Sequence, residues 1–400
     1  MPTFINHGQR LLLRMLFASL LFSISFQAPA QDIRSSGEAI PALRTSGSAQ
    51  SAVAGLIPSD VRRAYGFDQV SNQGAGQTIG IIEAFDHPAI EDDLAIFSQM
   101  FNLPACTTSN GCFQKVFASE NGASTNPVWA LETALDVEWA HAMAPQARIL
   151  LVEAPSDRLS DLLSAVDVAV QNGAGVISMS WGLPEFSGET LRGNHFVAPN
   201  VSFVAAAGDY GNPGFWPAAS PDVTAVGGTK LHLNSHGDYI TETALKDGGG
   251  GLSEFEVEPV YQSQLNIPEN PGGKRGIPDV AYNADPNAGF AVYDSILYLG
   301  SGWIEVGGTS AGAPQWAALI AIANSMRMAA DKYPLSGSNE SLYRAANSSS
   351  YDSNYNDIIG GTNTNGHCGP PCSATRGYDY VTGLGSPQAN NLINALVDAP

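Results

Sequence analysis

Residues 148–180 read RILLVEAPSDRLSDLLSAVDVAVQNGAGVISMS. An apolar run from Arg148 to Ala154 gives way to a helical pattern over 157–171, and a second apolar run follows at Gly175–Ser180. Two short apolar runs separated by a helix form a strand–helix–strand unit whose strands are covered on both faces. The same alternation extends outward. Runs rich in Ile, Val and Leu occur at Ile79–Ala84, Val201–Ala207 and Val223–Val226, and helical patterns at about 91–101, 128–143 and 189–197. The chain is therefore expected to be α/β, with a parallel central sheet and helices on both faces in three layers. In such sheets the chemistry lies beyond the carboxyl ends of the strands.

The 400 residues are 44% hydrophobic and 14% charged, which excludes disorder, collagen and coiled coil. Lys and Arg number 18 against 38 Asp and Glu, a formal charge of −20. That balance repels nucleic-acid phosphates and anionic membranes, so neither is an expected partner. Acid would relieve the self-repulsion by protonating carboxylates. Arg10 and Arg14 bracket the start of the apolar run Leu11–Phe26, and Ala28-Pro-Ala30 follows. Residues 1–30 thus read as a secretory signal peptide cut after Ala30. No later apolar run reaches the roughly 18 residues of a membrane span. A secreted, extracellular or periplasmic monomer is expected. Residues 31–56, rich in Ser, Ala and Gly without apolar periodicity, read as a flexible leader, and 57–400 as the main folded region.

Four cysteines suit an oxidising compartment. Cys106 and Cys112 enclose a turn-like segment, and Cys368 and Cys372 enclose Gly-Pro-Pro. Three pairings are open, of which two local bridges are favoured. The pairs lack zinc-finger spacing.

In 126–145, NPVWALETALDVEWAHAMAP, Asn126 can cap a helix, Pro127 suits its first position and Pro145 ends it. Glu132 and Asp136 then stand one turn apart on one face. Such a pair is usually a solvated acidic stripe. Here its company is Trp129, Leu131, Leu135 and Trp139, which raises or splits the proton affinities of the two acids. A second signal is Val306-Gly-Gly-Thr-Ser310-Ala-Gly-Ala-Pro314, ahead of the apolar segment Gln315–Asn324. It places Ser310 at a loop-to-helix junction, where the helix N-terminus favours developing negative charge. An ordinary capping serine would look similar over two residues, less so over nine.

Two serine-hydrolase readings compete. Gly308-Thr-Ser310-Ala-Gly312 matches the nucleophile elbow of α/β-hydrolase esterases, with His367 and either Asp352 or Asp357 downstream. The alternative is the Gly-Thr-Ser310-x-x-x-Pro314 segment of subtilisin-fold peptidases. No histidine here stands in a subtilisin setting. The helix bearing Glu132 and Asp136 takes that place, and Ala206-Ala-Gly-Asp209 stands where Ala-Ala-Gly-Asn is usual. Each exchange puts a carboxyl group where a neutral-pH group belongs, which is coherent for acid chemistry.

At this point the chain resembles the sedolisins, the serine-carboxyl peptidases of subtilisin-like fold. The resemblance runs from about Ile57 to Leu396. It rests on Glu132-x-x-x-Asp136, Ser178-Met-Ser-Trp181-Gly, Gly208-Asp209-x-Gly, Gly227-Gly-Thr, Gly276-Ile-Pro-Asp-Val280, Gly308-Thr-Ser310 and Asp357-Ile358 with Gly377-Tyr-Asp379, in the family's order. The resemblance implies Ser310 as nucleophile, Glu132 as general base and Asp136 as its orienting partner. Asp209 would donate from its protonated form to the oxyanion. Glu83 would extend the carboxyl network beside Trp181. It also implies one Ca2+ on the side chains of Asp357 and Asp379 and the carbonyls of Ile358, Thr375 and Gly377. Hard oxygen ligands of this kind can pin the polar stretch 351–387. Polypeptides would be the substrates, cut more in the manner of an endopeptidase. A departure is the short interval 31–56, where the family carries a long prodomain; so few residues make no folded domain. A secreted binding protein that kept the fold and lost turnover is the rival from another class.

Overall fold

The runs of Ile, Val and Leu become strands of one sheet. In the computed structural model, which describes residues 37–265, 267, 270, 272–296, 302–364 and 372–400, the sheet has eight strands. They are β1 (Thr78–Ala84), β2 (Phe113–Phe117), β3 (Arg148–Ala154), β4 (Val176–Met179), β5 (Ser202–Ala206), β6 (Val223–Leu233), β7 (Tyr239–Ala244) and β8 (Val280–Asn283). Their order is β7-β6-β5-β4-β1-β3-β2, with β8 also on β6. Every pairing is parallel except β6 with β7. The chain reverses its direction of travel across the sheet at β1, so the ends of β1, β3 and β4 open on a crevice.

Successive side chains of a strand face opposite ways, and the two cores follow from that. Ile79, Ile81, Ile149 and Leu151 join one core; Ile82, Leu150 and Val152 join the other. Helices α1 (Ile90–Met100), α2 (Pro127–Met143) and α4 (Gly312–Ala329) cover the first face, and α3 (Leu159–Gln171) covers the second against β1 and β3. The expected three-layer α/β architecture is present.

Helix α2 begins as its sequence dictates, the Asn126 side chain accepting from Val128 N–H at 3.0 Å ahead of Pro127. Every residue from Trp129 to Met143 is buried. A helix apolar on all sides belongs inside a protein, and this one lies between β1, α1 and α4. Its acids are therefore buried with it. Helix α4 is equally buried over Gly312–Ser325.

Two expectations need correction. The pattern at 189–197 folds as a 3₁₀ helix, Glu189–Phe196. The leader 31–56, described from Gly37, is not a loose tether. Ile40–Pro41 pairs antiparallel with Trp181–Pro184, matching Ile40 to Gly182 and Pro41 to Trp181. Arg44–Thr45 pairs antiparallel with the strand Gly302–Gly307. Backbone groups alone make such ladders, so a segment without apolar periodicity can still be held.

The Cys106–Cys112 bridge is formed. The expected signal peptide, His367 and Cys368 lie outside the described residues. Among the described residues no helix is long and apolar enough to cross a membrane.

Candidate active site

Three carboxyl groups meet where the crevice opens. Glu83 stands near the end of β1, and Glu132 and Asp136 on the inner turns of α2; all three are fully buried. Past the end of β4, the Ser180 hydroxyl donates to both oxygens of Asp136, at 2.8 and 2.7 Å. Ser178 Oγ is also buried close to Asp136, without a well-formed hydrogen bond. Residues two apart on a strand share a face, which is why both hydroxyls point at α2. That i, i+2 spacing in Ser178-Met-Ser180 is the signal a reading for catalytic acids alone passes over.

Burial raises the proton affinity of Glu83, Glu132 and Asp136 well above the ordinary range. The charge of Asp136 raises Glu83 and Glu132 further, while the hydroxyls of Ser180 and Ser178 pull Asp136 back. Neither Glu83 oxygen has a well-formed hydrogen bond, and the nearby charge of Asp136 raises its proton affinity. Trp181 is buried nearby and donates from Nε1 to the Ile82 carbonyl at 3.0 Å.

Ser310 lies in the turn Thr309–Ala311 that leads into α4. Its Oγ donates to the Ser180 carbonyl at 3.1 Å, and the Ser180 hydroxyl reaches back to the Ser310 carbonyl at 3.2 Å. The Ser310 hydroxyl also favours the charged form of Glu132, neither of whose oxygens has a well-aligned hydrogen bond. A base without a fixed partner is free to take a proton. Across from it, Asp209 accepts from Thr309 N–H at 2.9 Å through Oδ1, while Oδ2 is buried without a hydrogen bond. Burial lifts the Asp209 pKa to about 6, against the opposing charge of Arg44 and the Thr309 hydrogen bonds. Arg44 Nε lies 3.9 Å from the same Oδ2.

The profile of the Subtilase family matches residues 117–334. Kumamolisin of Bacillus sp. is 33% identical over 372 residues, 85% of this chain and 63% of its own length. The chain belongs to the sedolisin family. Tripeptidyl-peptidase 1 of Dictyostelium discoideum is 28% identical over 375 residues, 84% of this chain and 58% of its own length. The chain therefore spans about three fifths of these curated relatives. The solved structure of Pseudomonas sedolisin, a serine-carboxyl proteinase complexed with pseudo-iodotyrostatin, has a TM-score of 0.73 at 27% identity, covering 86% of this chain and 98% of that one. With the subtilisin-like fold established, the esterase reading of Gly308-Thr-Ser310-Ala-Gly312 lapses.

In this sedolisin the cleft is crossed by its own chain. Ala42 N–H donates to the Ser180 carbonyl, and Ser310 N–H donates to the Ala42 carbonyl, each at 3.0 Å. Gly308, at φ +101°, makes room for this approach: a Cβ there would collide with the Ala42 oxygen and with Asp209 Oδ2 alike. Upstream, Ala39 N–H donates to the Asp157 carbonyl at 2.8 Å and Glu38 bridges to Arg158. Beyond them lies a cavity of about 860 Å³ lined by Glu38, Leu183, Pro184 and Phe186 among others. Downstream, Arg44 hydrogen-bonds to the Asp209 carbonyl and comes within 3.7 Å of Asp247 Oδ2. Sequence reasoning missed this strap because nothing in its composition distinguishes it from a linker.

The carboxylates expected to hold calcium each take backbone N–H donors. Asp357 accepts from Gly377 N–H at 3.1 Å and from Tyr351 OH at 3.2 Å. Asp379 accepts from Thr375 N–H at 2.8 Å, Thr382 N–H at 2.8 Å and Val381 N–H at 2.9 Å. Ile358 is buried beside them. Asp357 is thus brought to Gly377, and Asp379 to Thr375. Two carboxylates and three carbonyls would be a hard-oxygen donor set of the kind Ca2+ takes. The backbone N–H groups on Asp379 already offset part of its charge.

Proposed function

We propose that the protein is an exported serine-carboxyl endopeptidase that hydrolyses polypeptides in acid. The observation that carries this reading is the Ala42 carbonyl on Ser310 N–H, with Asp209 Oδ2, which makes no hydrogen bond and has Arg44 Nε 3.9 Å away, against the same glycine face. A peptide carbonyl in that place is set for attack by Ser310 Oγ on its carbon. Glu132 takes the hydroxyl proton, its proton affinity raised by burial and by the charge of Asp136. As the carbonyl oxygen becomes an oxyanion, Ser310 N–H and protonated Asp209 stabilise it. Glu132 then returns its proton to the departing amine, and water admitted in its place releases the acyl group by the same steps.

The path of the strap favours internal cleavage. With the Ala42–Leu43 bond at Ser310, Glu38 stands five residues to the acyl side and the cavity continues past it. A tripeptidyl peptidase must instead stop the chain three residues before the bond. The test is digestion of an unfolded protein in acid by wild type and Ser310→Ala. Wild type should release peptides of mixed length, and the variant should be at least about 1,000-fold slower. Products that are tripeptides alone would replace the endopeptidase reading. Equal background from both proteins would favour a binding protein of this fold.

One Ca2+ is proposed on Asp357, Asp379 and the carbonyls of Ile358, Thr375 and Gly377. An ion that binds only the folded state stabilises it, by about 2.7 kcal/mol at 100 times its Kd. Chelation should therefore lower Tm by about 5 °C. Asp379→Ala should lower Tm similarly and make the protein indifferent to chelator. A wild-type Tm unmoved by chelator means that the backbone N–H groups hold the loop unaided, and the metal assignment fails.

A further inference from the structure

The strap is also a record of what the cleft accepts beyond the bond. With Ala42 on Ser310 N–H, Leu43 and Arg44 are the first two residues on the leaving side. The Arg44 side chain turns back into the wall. Its Nη2 donates to the Asp209 carbonyl, its Nη1 lies 3.7 Å from Asp247 Oδ2, and its guanidinium carbon sits 5.7 Å from the Tyr210 ring centre. A carboxylate, a carbonyl dipole and an aromatic face each attract a cation.

This wall is fixed by contacts that do not involve Arg44. The Asp247 carbonyl accepts from Gly211 N–H at 2.8 Å, and Gly249 N–H donates to the Gly208 carbonyl at 2.6 Å. The loop is therefore tied on both sides to the segment that carries Asp209. Tyr210 stacks on Phe215 with ring centres 5.7 Å apart and planes at 21°. A pocket held this way is ready before its guest arrives, and little ordering cost is left for binding.

We propose that Asp247, the Tyr210 ring and the Asp209 main-chain carbonyl form a subsite that selects a cationic side chain two residues beyond the scissile bond. The inference rests on the peptidase reading for its register. Arginine should be preferred over lysine, because a planar guanidinium can meet the carbonyl, the carboxylate and the ring together, while an ammonium meets them one at a time. Glutamate should be rejected, since it faces Asp247 with like charge. The Asp247 side chain is 46% exposed and that of Arg44 27%, so the preference is modest in size.

The test is a competition at about pH 5 between peptides that differ only at this position, carrying Arg, Ala or Glu. Rates of peptides competing in one tube give the ratio of kcat/KM, whatever fraction of clefts the strap occupies. Arg is expected to be favoured over Ala by about 5- to 10-fold. Asp247→Ala should bring that ratio within about twofold of unity, and Asp247→Lys should turn the preference toward Glu. Equal rates for Arg and Glu, or an Arg preference that survives Asp247→Ala, overturns the proposal. A second arm needs no turnover. In Ser310→Ala protein, which leaves the strap uncut, the backbone amides of 39–45 should exchange with solvent about fivefold faster once Asp247→Ala is added. Unchanged exchange overturns the subsite as well. If no peptide is cut at all, the peptidase reading has failed, and the exchange arm alone decides the subsite.

Discussion

Glu132→Ala is expected to lower kcat by roughly 100- to 10,000-fold, while His367→Ala stays within about twofold of wild type. Glu132 is the carboxyl whose charged form the Ser310 hydroxyl favours, and burial together with the charge of Asp136 gives it the proton affinity a base needs. An ordinary carboxylate would be too weak to compete for a serine proton. Removing it leaves Ser310 donating to the Ser180 carbonyl, which cannot accept a proton. Glu132→Gln keeps the shape and should lose as much. The loss must fall on kcat with Tm preserved, because a buried acid replaced by alanine can also leave a cavity. A well-folded Glu132→Ala protein that retains turnover would sink the assigned base.

The second large effect concerns Asp209 and sets the alkaline edge of activity. Its carboxyl must be protonated to donate to an oxyanion, and burial holds its pKa at about 6. Activity is then present below that value and falls as pH rises through it. The base works in the opposite sense, active only once its proton has left, so the working range closes on the acid side too. Asp209→Ala should cost about 3–4 kcal/mol of transition-state stabilisation, roughly 100- to 1,000-fold in kcat. Asp209→Asn is the sharper experiment. An amide donates at every pH, so the alkaline limb near 6 should disappear while the acid limb remains. A profile of kcat against pH that is identical in Asp209→Asn and wild type would remove Asp209 from the oxyanion site.

Most of the scaffold could be read from the amino acids because burial on both faces demands it. The strands β1, β3, β4 and β5 sit where unbroken Ile, Val and Leu runs place them, within a residue or so. β2 escaped notice because Gln114 and Lys115 interrupt it, as an edge strand permits. The acids of α2 could be recognised from their apolar company, since a charged pair inside an all-round apolar helix has nowhere to go but a buried site. The structure sets Ser310 on the Ser180 carbonyl, Ser180 on Asp136 and Asp209 on Thr309 N–H. What could not be read is the strap. Its pairing with Trp181–Pro184 uses main-chain donors and acceptors that every residue possesses, and no side-chain pattern announces such a choice. The role of Arg44 was hidden for the same reason: a lone arginine in a polar stretch looks solvated until its register against Ser310 is known.

A peptide tethered beside its own cleft cannot be diluted away. It competes at a local concentration fixed by the geometry of the chain, on the order of millimolar for a short flexible connection. An ordinary inhibitor releases more enzyme as the solution thins; until the Ala42–Leu43 bond is cut, residues 39–45 would hold theirs equally at every protein concentration. Short peptides with few contacts then lose the contest, and long unfolded chains that grip the wall from Glu38's cavity to Asp247 can win it. Selection by length would thus arise from occupancy rather than from any barrier in the cleft.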